Sequence, residues 1–153
     1  MPDARTWILT GSPANYATTS ELGFRLIGFK ERRRRQALEM EIGDRIVFYL
    51  TQRMCFAASV RVTGELLEDR SPMWPGKPGN PDPYPWRVAT EPELVLPPER
   101  WLPAETLIDE LAHIGKWPRE HWKLAFQGQL RVVSEADAQL LCARLADAAA
   151  VAA

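Results

Sequence analysis

Two adjacent hydrophobic runs near the middle of the chain limit the fold more than any other feature. Arg45–Thr51 is nearly all apolar, whereas Phe56–Gly64 alternates between apolar and polar side chains. The first pattern predicts a strand covered on both faces, and the second predicts a half-buried strand with Phe56 and every second residue after it on the buried face. A tight connection at residues 52–53 joins the two strands, so the chain is expected to build a sheet around them.

The same patterns predict the other elements of the fold. Three further strands are expected: Thr6–Thr10, Trp86–Leu96 and Phe126–Val133. Short helices are expected over residues 30–40, around Leu107, Leu111 and Ile114, and after the capping-box spacing of Ser134 and Asp137. Residues 12–29 are rich in turn formers and are expected to be irregular. The 153 residues show no repeat and no linker, so residues 1–153 are predicted to form one α+β domain, a small mixed β-barrel with flanking short helices.

Proline marks a long loop in the second half of the chain. Nine of the 13 prolines lie between Pro72 and Pro98. Because proline cannot donate to a strand ladder, Ser71–Pro85 is expected to be a loop. It carries Trp74 and Tyr84, and long loops in compact domains usually serve a function.

Charge and cysteine content exclude several classes of protein. The net charge of −1 argues against a protein that coats nucleic acid by bulk charge. However, residues 25–35 contain six basic residues and one acidic residue, a net charge of +5, which leaves −6 for the rest of the chain. Two distant cysteines, no apolar stretch of membrane-spanning length and no secretory signal predict a cytoplasmic protein that does not insert into a membrane.

The sequence contains no recognisable catalytic or metal-binding pattern. The two histidines, His113 and His121, are eight residues apart, which is not a metal-ligand spacing. No glycine-rich phosphate loop or G-x-S-x-G motif is present. The chain is therefore predicted to be a binding protein without enzymatic activity, metal or cofactor.

Aromatic and basic residues together suit nucleic-acid binding, but a structural explanation stands beside this one. Bases stack on aromatic faces, and arginine neutralises phosphates. Aromatic residues such as Trp7 and Trp101 also fit a hydrophobic core, and Arg32–Arg35 fits a solvated helix face. From composition alone, the structural explanation is the better one.

Segments along most of the chain follow an order that is typical of one family. They are Trp7–Tyr16 with its S-P-x-N loop, Leu26–Arg32, Met40–Tyr49 with its G-D pair, Phe56–Gly64, Ser71–Pro75, Tyr84–Val88, Phe126–Arg131 and Ser134–Asp137. Ala58 departs from the pattern, since glycine is common at this position. In this ordered set the chain resembles the EVE domain family, a branch of the PUA-like superfamily related to the YTH domain.

The resemblance implies a PUA-like barrel that holds one modified base of a nucleic acid in an aromatic pocket. For EVE domains the expected ligand is a modified cytosine in DNA, such as 5-methylcytosine, or a modified base in RNA; YTH relatives bind N6-methyladenine in an aromatic cage. Carried over by position, the expected pocket comprises Ser12, Asn15, Tyr16, Gly28, Phe29, Lys30 and Trp74. Phe29 and Trp74 are expected to face each other as walls. The side chains expected along the phosphate backbone are Arg25, Arg32, Arg33, Arg34 and Arg35.

Two other functions remain open from the sequence. The same pocket suits a small-molecule-binding or regulatory module, and an enzyme is the second alternative. A base reader of this size is expected to act as a monomer and to need a separate effector protein for any downstream effect.

Overall fold

The computed structural model describes residues 4–75, 79 and 82–150. The strands are β1 (Thr6–Gly11), β2 (Leu26–Phe29), β3 (Arg45–Leu50), β4 (Cys55–Val62), β5 (Leu67–Glu68), β6 (Trp86–Val95), β7 (Leu102–Pro103) and β8 (Leu130–Val133). The α-helices are α1 (Pro13–Glu21), α2 (Arg34–Leu38) and α3 (Glu135–Ala150). Short 3-10 helices occupy Glu31–Arg33, Pro98–Arg100, Ala104–Leu107, Ile114–Lys116 and Arg119–Phe126.

The strands form one mixed sheet in the order β2-β6-β4-β3-β1-β8, with β5 beside β6 and β7 beside β4. β1 and β3 pair in parallel, and the other described pairs are antiparallel. The sheet curls into a half-barrel, and the predicted α+β, PUA-like fold class is confirmed. The four longer strands lie within two residues of the predicted bounds.

Side chains on the two faces of the sheet build two hydrophobic cores. Along β1 and β3, Trp7 and Phe48 belong to the core enclosed by the half-barrel, whereas Ile8 and Val47 belong to the core on the other face. The prediction that β3 is covered on both faces is therefore confirmed. The second core is closed by α3 and by the 3-10 turns of residues 104–126.

The predicted face of Phe56 is wrong because the pairing of β3 and β4 shifts within the strands. Phe48 pairs with Ala58, but the next residue, Tyr49, pairs with Phe56. Such a β-bulge sends the side chains on either side of it to different faces. Phe56 consequently packs in the outer core, while Ala58 and Val60 lie inside the half-barrel.

Residues 12–29 are ordered, which corrects the prediction of an irregular segment. Ser12 Oγ accepts a hydrogen bond from Asn15 N at 3.1 Å, and Pro13 opens α1 at a position where its missing N–H costs nothing. The turn after α1 uses positive φ angles at Gly23 and Phe24 and leads into β2. β2 pairs with the first four residues of β6.

Two predicted helices are also shorter than expected. Residues 30–40 form a 3-10 turn and the five-residue α2, and Leu107 and Ile114 lie in separate 3-10 turns. At α3, Ser134 Oγ accepts from Asp137 N at 3.2 Å, but the Asp137 carboxylate accepts from the backbone of Ala112 and His113 instead of returning to the cap. Within the described residues, none of the helices is both long and apolar enough to cross a membrane.

Candidate ligand-binding site

Two connected cavities open beside the junction of β1 and α1. The inner pocket has a volume of about 40 Å³ and the outer cleft a volume of about 610 Å³. Both are lined by the same six residues where they meet: Thr10, Gly11, Ser12, Asn15, Tyr84 and Gln129. The cavities therefore form one site with a small deep end and a wide mouth.

The inner pocket is apolar and aromatic, and the outer cleft is polar. The inner walls are Leu9, Ile27, Phe48 and Leu50 together with Tyr16, Trp74 and Tyr84. The rim of the outer cleft includes Lys30, Glu31, Arg32, Asp82, Gln127 and Gly128. A ligand with a flat apolar body and polar edges fits this combination.

Trp74 occupies the space that Gly28 leaves above β2. A Cβ atom on Gly28 would lie 2.5 Å from Trp74 Cζ3 and 2.9 Å from Tyr84 Cβ, so a larger residue leaves no room for the ring. Trp74 Nε1 donates to Thr19 Oγ1 at 3.0 Å, and only 8% of the residue is exposed. Trp74 is thus both a wall of the inner pocket and a packed part of the domain.

Tyr84 is the aromatic residue beside Trp74, and the prediction that Phe29 faces Trp74 is wrong. The rings of Trp74 and Tyr84 have centroids 6.1 Å apart and an interplanar angle of 66°. Phe29 is fully buried in the core of the half-barrel and lines neither cavity. Side chains of successive strand residues point to opposite faces, so the pleat that turns Gly28 toward Trp74 turns Phe29 away.

Arg87 holds the loop Ser71–Pro85, the aromatic loop, in place. Its guanidinium is fully buried and donates to the carbonyl oxygens of Ser71 at 2.5 Å, Pro83 at 3.1 Å and Tyr84 at 3.1 Å. It also lies 3.3 Å from the Asp69 carboxylate and 5.2 Å from the centre of the Trp74 ring. A buried charge must find such partners, so Arg87 ties both described ends of the loop to β6. Residues 76–78, 80 and 81 of the predicted loop lie outside the described residues.

Tyr16 forms the floor of the inner pocket on the α1 side. Its ring packs against Phe24, Phe48 and Trp101 at centroid distances of 5.5 to 5.9 Å. Burial raises the pKa of Tyr16 to about 12, so its hydroxyl stays protonated at neutral pH. Tyr16 therefore contributes a neutral aromatic surface to the pocket.

Polar groups surround the passage between the two cavities. Asn15 Nδ2 donates to the Tyr84 hydroxyl at 2.9 Å, and Lys30 N donates to Gln129 Oε1 at 2.9 Å. Thr10 Oγ1 is buried and has no hydrogen-bond partner among the described residues. Because an unsatisfied buried hydroxyl is costly, Thr10 is positioned to bond a ligand that enters the passage.

The structure brings together most of the pocket residues expected from the sequence. Ser12, Asn15, Tyr16, Gly28 and Trp74 line the inner pocket, and Lys30 lines the outer cleft. The sequence analysis did not place Thr10, Gln129 or Arg87 in the binding site. An arginine within the apolar strand after the aromatic loop was the one local signal for Arg87; the other two lie in ordinary strand and turn contexts.

The basic side chains of residues 25–35 do not share one environment in the structure. Arg32 lines the outer cleft, while Arg34 lies over the Trp86 ring at 5.1 Å and Arg35 is exposed on α2. Arg33 is half-buried beside Gln36. Arg25 precedes the other end of β2, about 17 Å from Lys30 at the usual rise per strand residue, so its predicted place near the pocket mouth is wrong.

The cysteine and histidine side chains with shifted pKa values lie outside the site. The described residues contain no group of three or more His, Cys, Asp or Glu side chains placed to hold a metal ion. Cys55 and Cys142 are free, and burial raises the pKa of both thiols, which keeps them protonated and unreactive at neutral pH. Burial also lowers the pKa of His113, whose Nε2 lies 2.7 Å from Ala125 O.

A family model for the EVE domain matches residues 5–144. The chain belongs to the EVE domain family. The match includes all residues that line the inner pocket and the outer cleft, so the site lies within the EVE domain itself. No protein of curated function matches the chain.

Several solved structures share the EVE-domain fold of this chain. A Pseudomonas putida protein superposes with a TM-score of 0.62 and 15% sequence identity over 92% of this chain and 99% of its own. The Mmi1 YTH domain gives a TM-score of 0.67 at 9% identity, covering 95% of this chain and 76% of that one. A structure described as a complex of Mmi1 with RNA gives a TM-score of 0.66 at 10% identity, covering 93% and 81%. At these identities, the likeness establishes the fold.

Proposed function

We propose that this EVE-domain protein binds a nucleic-acid strand and holds one modified base in the site described above, without changing it chemically. The observation that carries the proposal is the junction of the two cavities. There an aromatic pocket meets a polar cleft at a buried hydroxyl that has no hydrogen-bond partner in the part of the chain that the structure describes. The RNA-bound YTH neighbour supports the proposal, since it has the same fold.

The different sizes of the two cavities suit a base in the outer cleft and a substituent of that base in the inner pocket. The outer cleft lies within the range of about 300–1,000 Å³ typical of ligand sites. The inner pocket is the smaller of the two cavities, so in this arrangement it receives the smaller part of the ligand. A base seated in the outer cleft places a small substituent, such as a methyl group, in the inner pocket, where each buried methyl group contributes about 0.8 kcal/mol.

The preferred ligand in this proposal is a modified cytosine in DNA, and a modified base in RNA is the other nucleic-acid form. Turning a base out of its stack costs a few kcal/mol, which the aromatic walls partly return. The Thr10 hydroxyl and the Gln129 amide then lie at the passage to bond the edge of the base.

A matched pair of threonine variants tests the role of the passage. Thr10→Val removes the unpaired hydroxyl at nearly constant shape, so we expect about tenfold weaker binding of the preferred base and unchanged or higher stability. Thr90→Val removes a buried hydroxyl that donates to Phe24 O at 2.6 Å, so we expect lower stability and unchanged binding. Fluorescence anisotropy with modified and unmodified oligonucleotides of DNA and RNA measures the affinity, and urea unfolding measures the stability.

Equal affinity of wild-type protein for modified and unmodified strands, in DNA and in RNA alike, would contradict the proposal. The acidic rim residues Glu31 and Asp82 favour a second candidate, the binding of a free modified nucleoside, because they repel a polyanion. Tight binding of nucleosides together with weak binding of every strand would support this second function. Mass spectrometry of the recovered oligonucleotide tests the absence of chemistry.

A further inference from the structure

Two arginine side chains from distant parts of the sequence meet beside Gly128. Gly128 has a φ of +83° in the turn before β8, and a Cβ atom there would lie 3.0 Å from Arg33 Nη2 and 3.8 Å from Arg131 Nη2. Arg33 comes from the 3-10 turn before α2, and Arg131 from β8. The fold thus brings two guanidinium groups to the same point.

Neutral groups hold both guanidiniums in position. Arg33 Nη1 donates to Gln36 Oε1 at 3.3 Å, and Gln36 Nε2 donates to Leu130 O at 3.1 Å. Arg131 donates from Nε and Nη2 to Gln127 O at 3.1 and 2.8 Å. Within the described part of the chain, neither arginine forms an ion pair with a carboxylate.

The pair carries an uncompensated positive charge and an unused donor. Arg33 Nε is buried and has no hydrogen-bond partner among the described residues. Burial, followed by the charges of Arg32 and Arg131, lowers the pKa of Arg33, which shows the cost of this arrangement without an anion. Six other arginines form ion pairs with aspartate or glutamate, whereas Arg33 and Arg131 lie beside each other without a carboxylate among the described residues.

We propose that Arg33 and Arg131 form an anion site for a phosphate group beside Gly128. Two guanidiniums offer several N–H donors in planar forks, which match the oxygens of a doubly charged or bridging phosphate. Gln127 and Gly128 also line the outer cleft, so the phosphate lies at the edge of the ligand-binding site. We assign this phosphate to a nucleotide next to the bound base. This assignment to a strand rests on the proposed function.

Thermal unfolding with inorganic phosphate tests the anion site without any nucleic acid. We expect phosphate to raise the wild-type Tm by about 2–4 °C over chloride at equal ionic strength, in a saturable manner. Arg131→Gln is expected to abolish this shift. The control Arg119→Gln makes the same charge change at an exposed arginine paired with Asp109, and is expected to keep the shift.

Arg131→Gln is also expected to fold well, because it relieves the repulsion between the two guanidiniums. Its Tm in chloride at low salt is expected to equal or exceed that of the wild type. Arg33→Lys, which keeps the charge but loses the planar fork, is the second variant, with an expected partial loss of the phosphate shift. Equal phosphate shifts in wild type, Arg131→Gln and Arg119→Gln would overturn the proposal.

Oligonucleotides distinguish a backbone phosphate from a small phosphate ester. For a strand, Arg131→Gln is expected to reduce the slope of log affinity against log salt by about one, and Arg119→Gln to leave it unchanged. One neutral methylphosphonate linkage, moved along the strand, is expected to weaken wild-type binding at a single position and to have no further effect in Arg131→Gln. A phosphate-dependent Tm shift without such a position assigns the site to a small phosphate ester.

The same data separate this proposal from the proposed function. The ratio of affinities for modified and unmodified strands reports the base pocket, and phosphate contacts do not alter it. If this ratio is one while Arg131→Gln still loses the phosphate shift, the base-reading function fails and the anion site stands. If modified strands still bind more tightly than unmodified ones, but Arg131→Gln changes neither the phosphate-dependent Tm shift nor the salt slope, the anion site fails and the base-reading function stands.

Discussion

Replacing Gly28 by alanine is expected to destabilise the protein and to displace Trp74 from the inner pocket. Gly28 has no positive φ angle, so alanine suits its backbone and the whole effect comes from the added methyl group. That group would lie 2.5 Å from Trp74 Cζ3, 2.9 Å from Trp74 Cη2 and 2.9 Å from Tyr84 Cβ. The Trp74 indole cannot yield easily, because it is bonded to Thr19 and packed under Arg87.

The expected cost follows from overpacking of a filled site. Added methyl groups in packed cores cost about 1–3 kcal/mol. In a domain of this size, this lowers the Tm by about 3–10 °C. Equilibrium urea unfolding measures the free energy, and an unchanged m-value shows that both variants unfold from the same compact state. Gly115→Ala is the control, since a Cβ atom at Gly115 would have no described neighbour within 4 Å.

A double-mutant cycle identifies the contact responsible. In a Trp74→Ala background the ring is absent, so Gly28→Ala is expected to cost at least about 1 kcal/mol less than in the wild type. The remaining cost belongs to Tyr84. If Gly28→Ala costs as much in both backgrounds, or as little as Gly115→Ala, the contact between Gly28 and Trp74 does not shape the pocket and the reasoning fails.

Two further predictions concern charges that organise the fold. Arg87→Lys keeps the positive charge but loses the fork that bonds the loop carbonyls, so we expect a loss of at least about 2 kcal/mol in urea unfolding; a smaller loss than in a surface Arg→Lys variant would contradict this role. Burial acts to raise the pKa of Glu93, but hydrogen bonds from Arg45, Arg61 and Ser59 lower it to about 2. This stabilisation is present above pH about 4.5 and is lost as the pH falls toward 2, so Glu93→Gln is expected to cost about 1–3 kcal/mol at pH 7, with the difference from wild type disappearing toward pH 2.

Local patterns predicted much of the sheet but less of its surroundings. β3 and β6 were predictable because their hydrophobic patterns reflect burial that neighbouring residues share. α1 was not predicted, because serine, proline and asparagine suit both a turn and a capped helix start, and only its packing under Trp74 and Trp101 favours the helix. The bulge that moves Phe56 to the outer core likewise depends on pairing with β3, which no local pattern contains.

The sequence by itself determined the family, the main strands, α3 and the set of loops that carry the site. It determined these because hydrophobic periodicity and turn residues act over a few positions. Only the tertiary structure decided which side chains meet. The pairing of β2 with β6 turns Gly28 toward Trp74 and Phe29 into the core, and the approach of β8 to the turn before α2 brings Arg131 to Arg33. Such contacts join residues far apart in the chain, and their geometry is set by strand register and packing, which the composition of neither segment specifies.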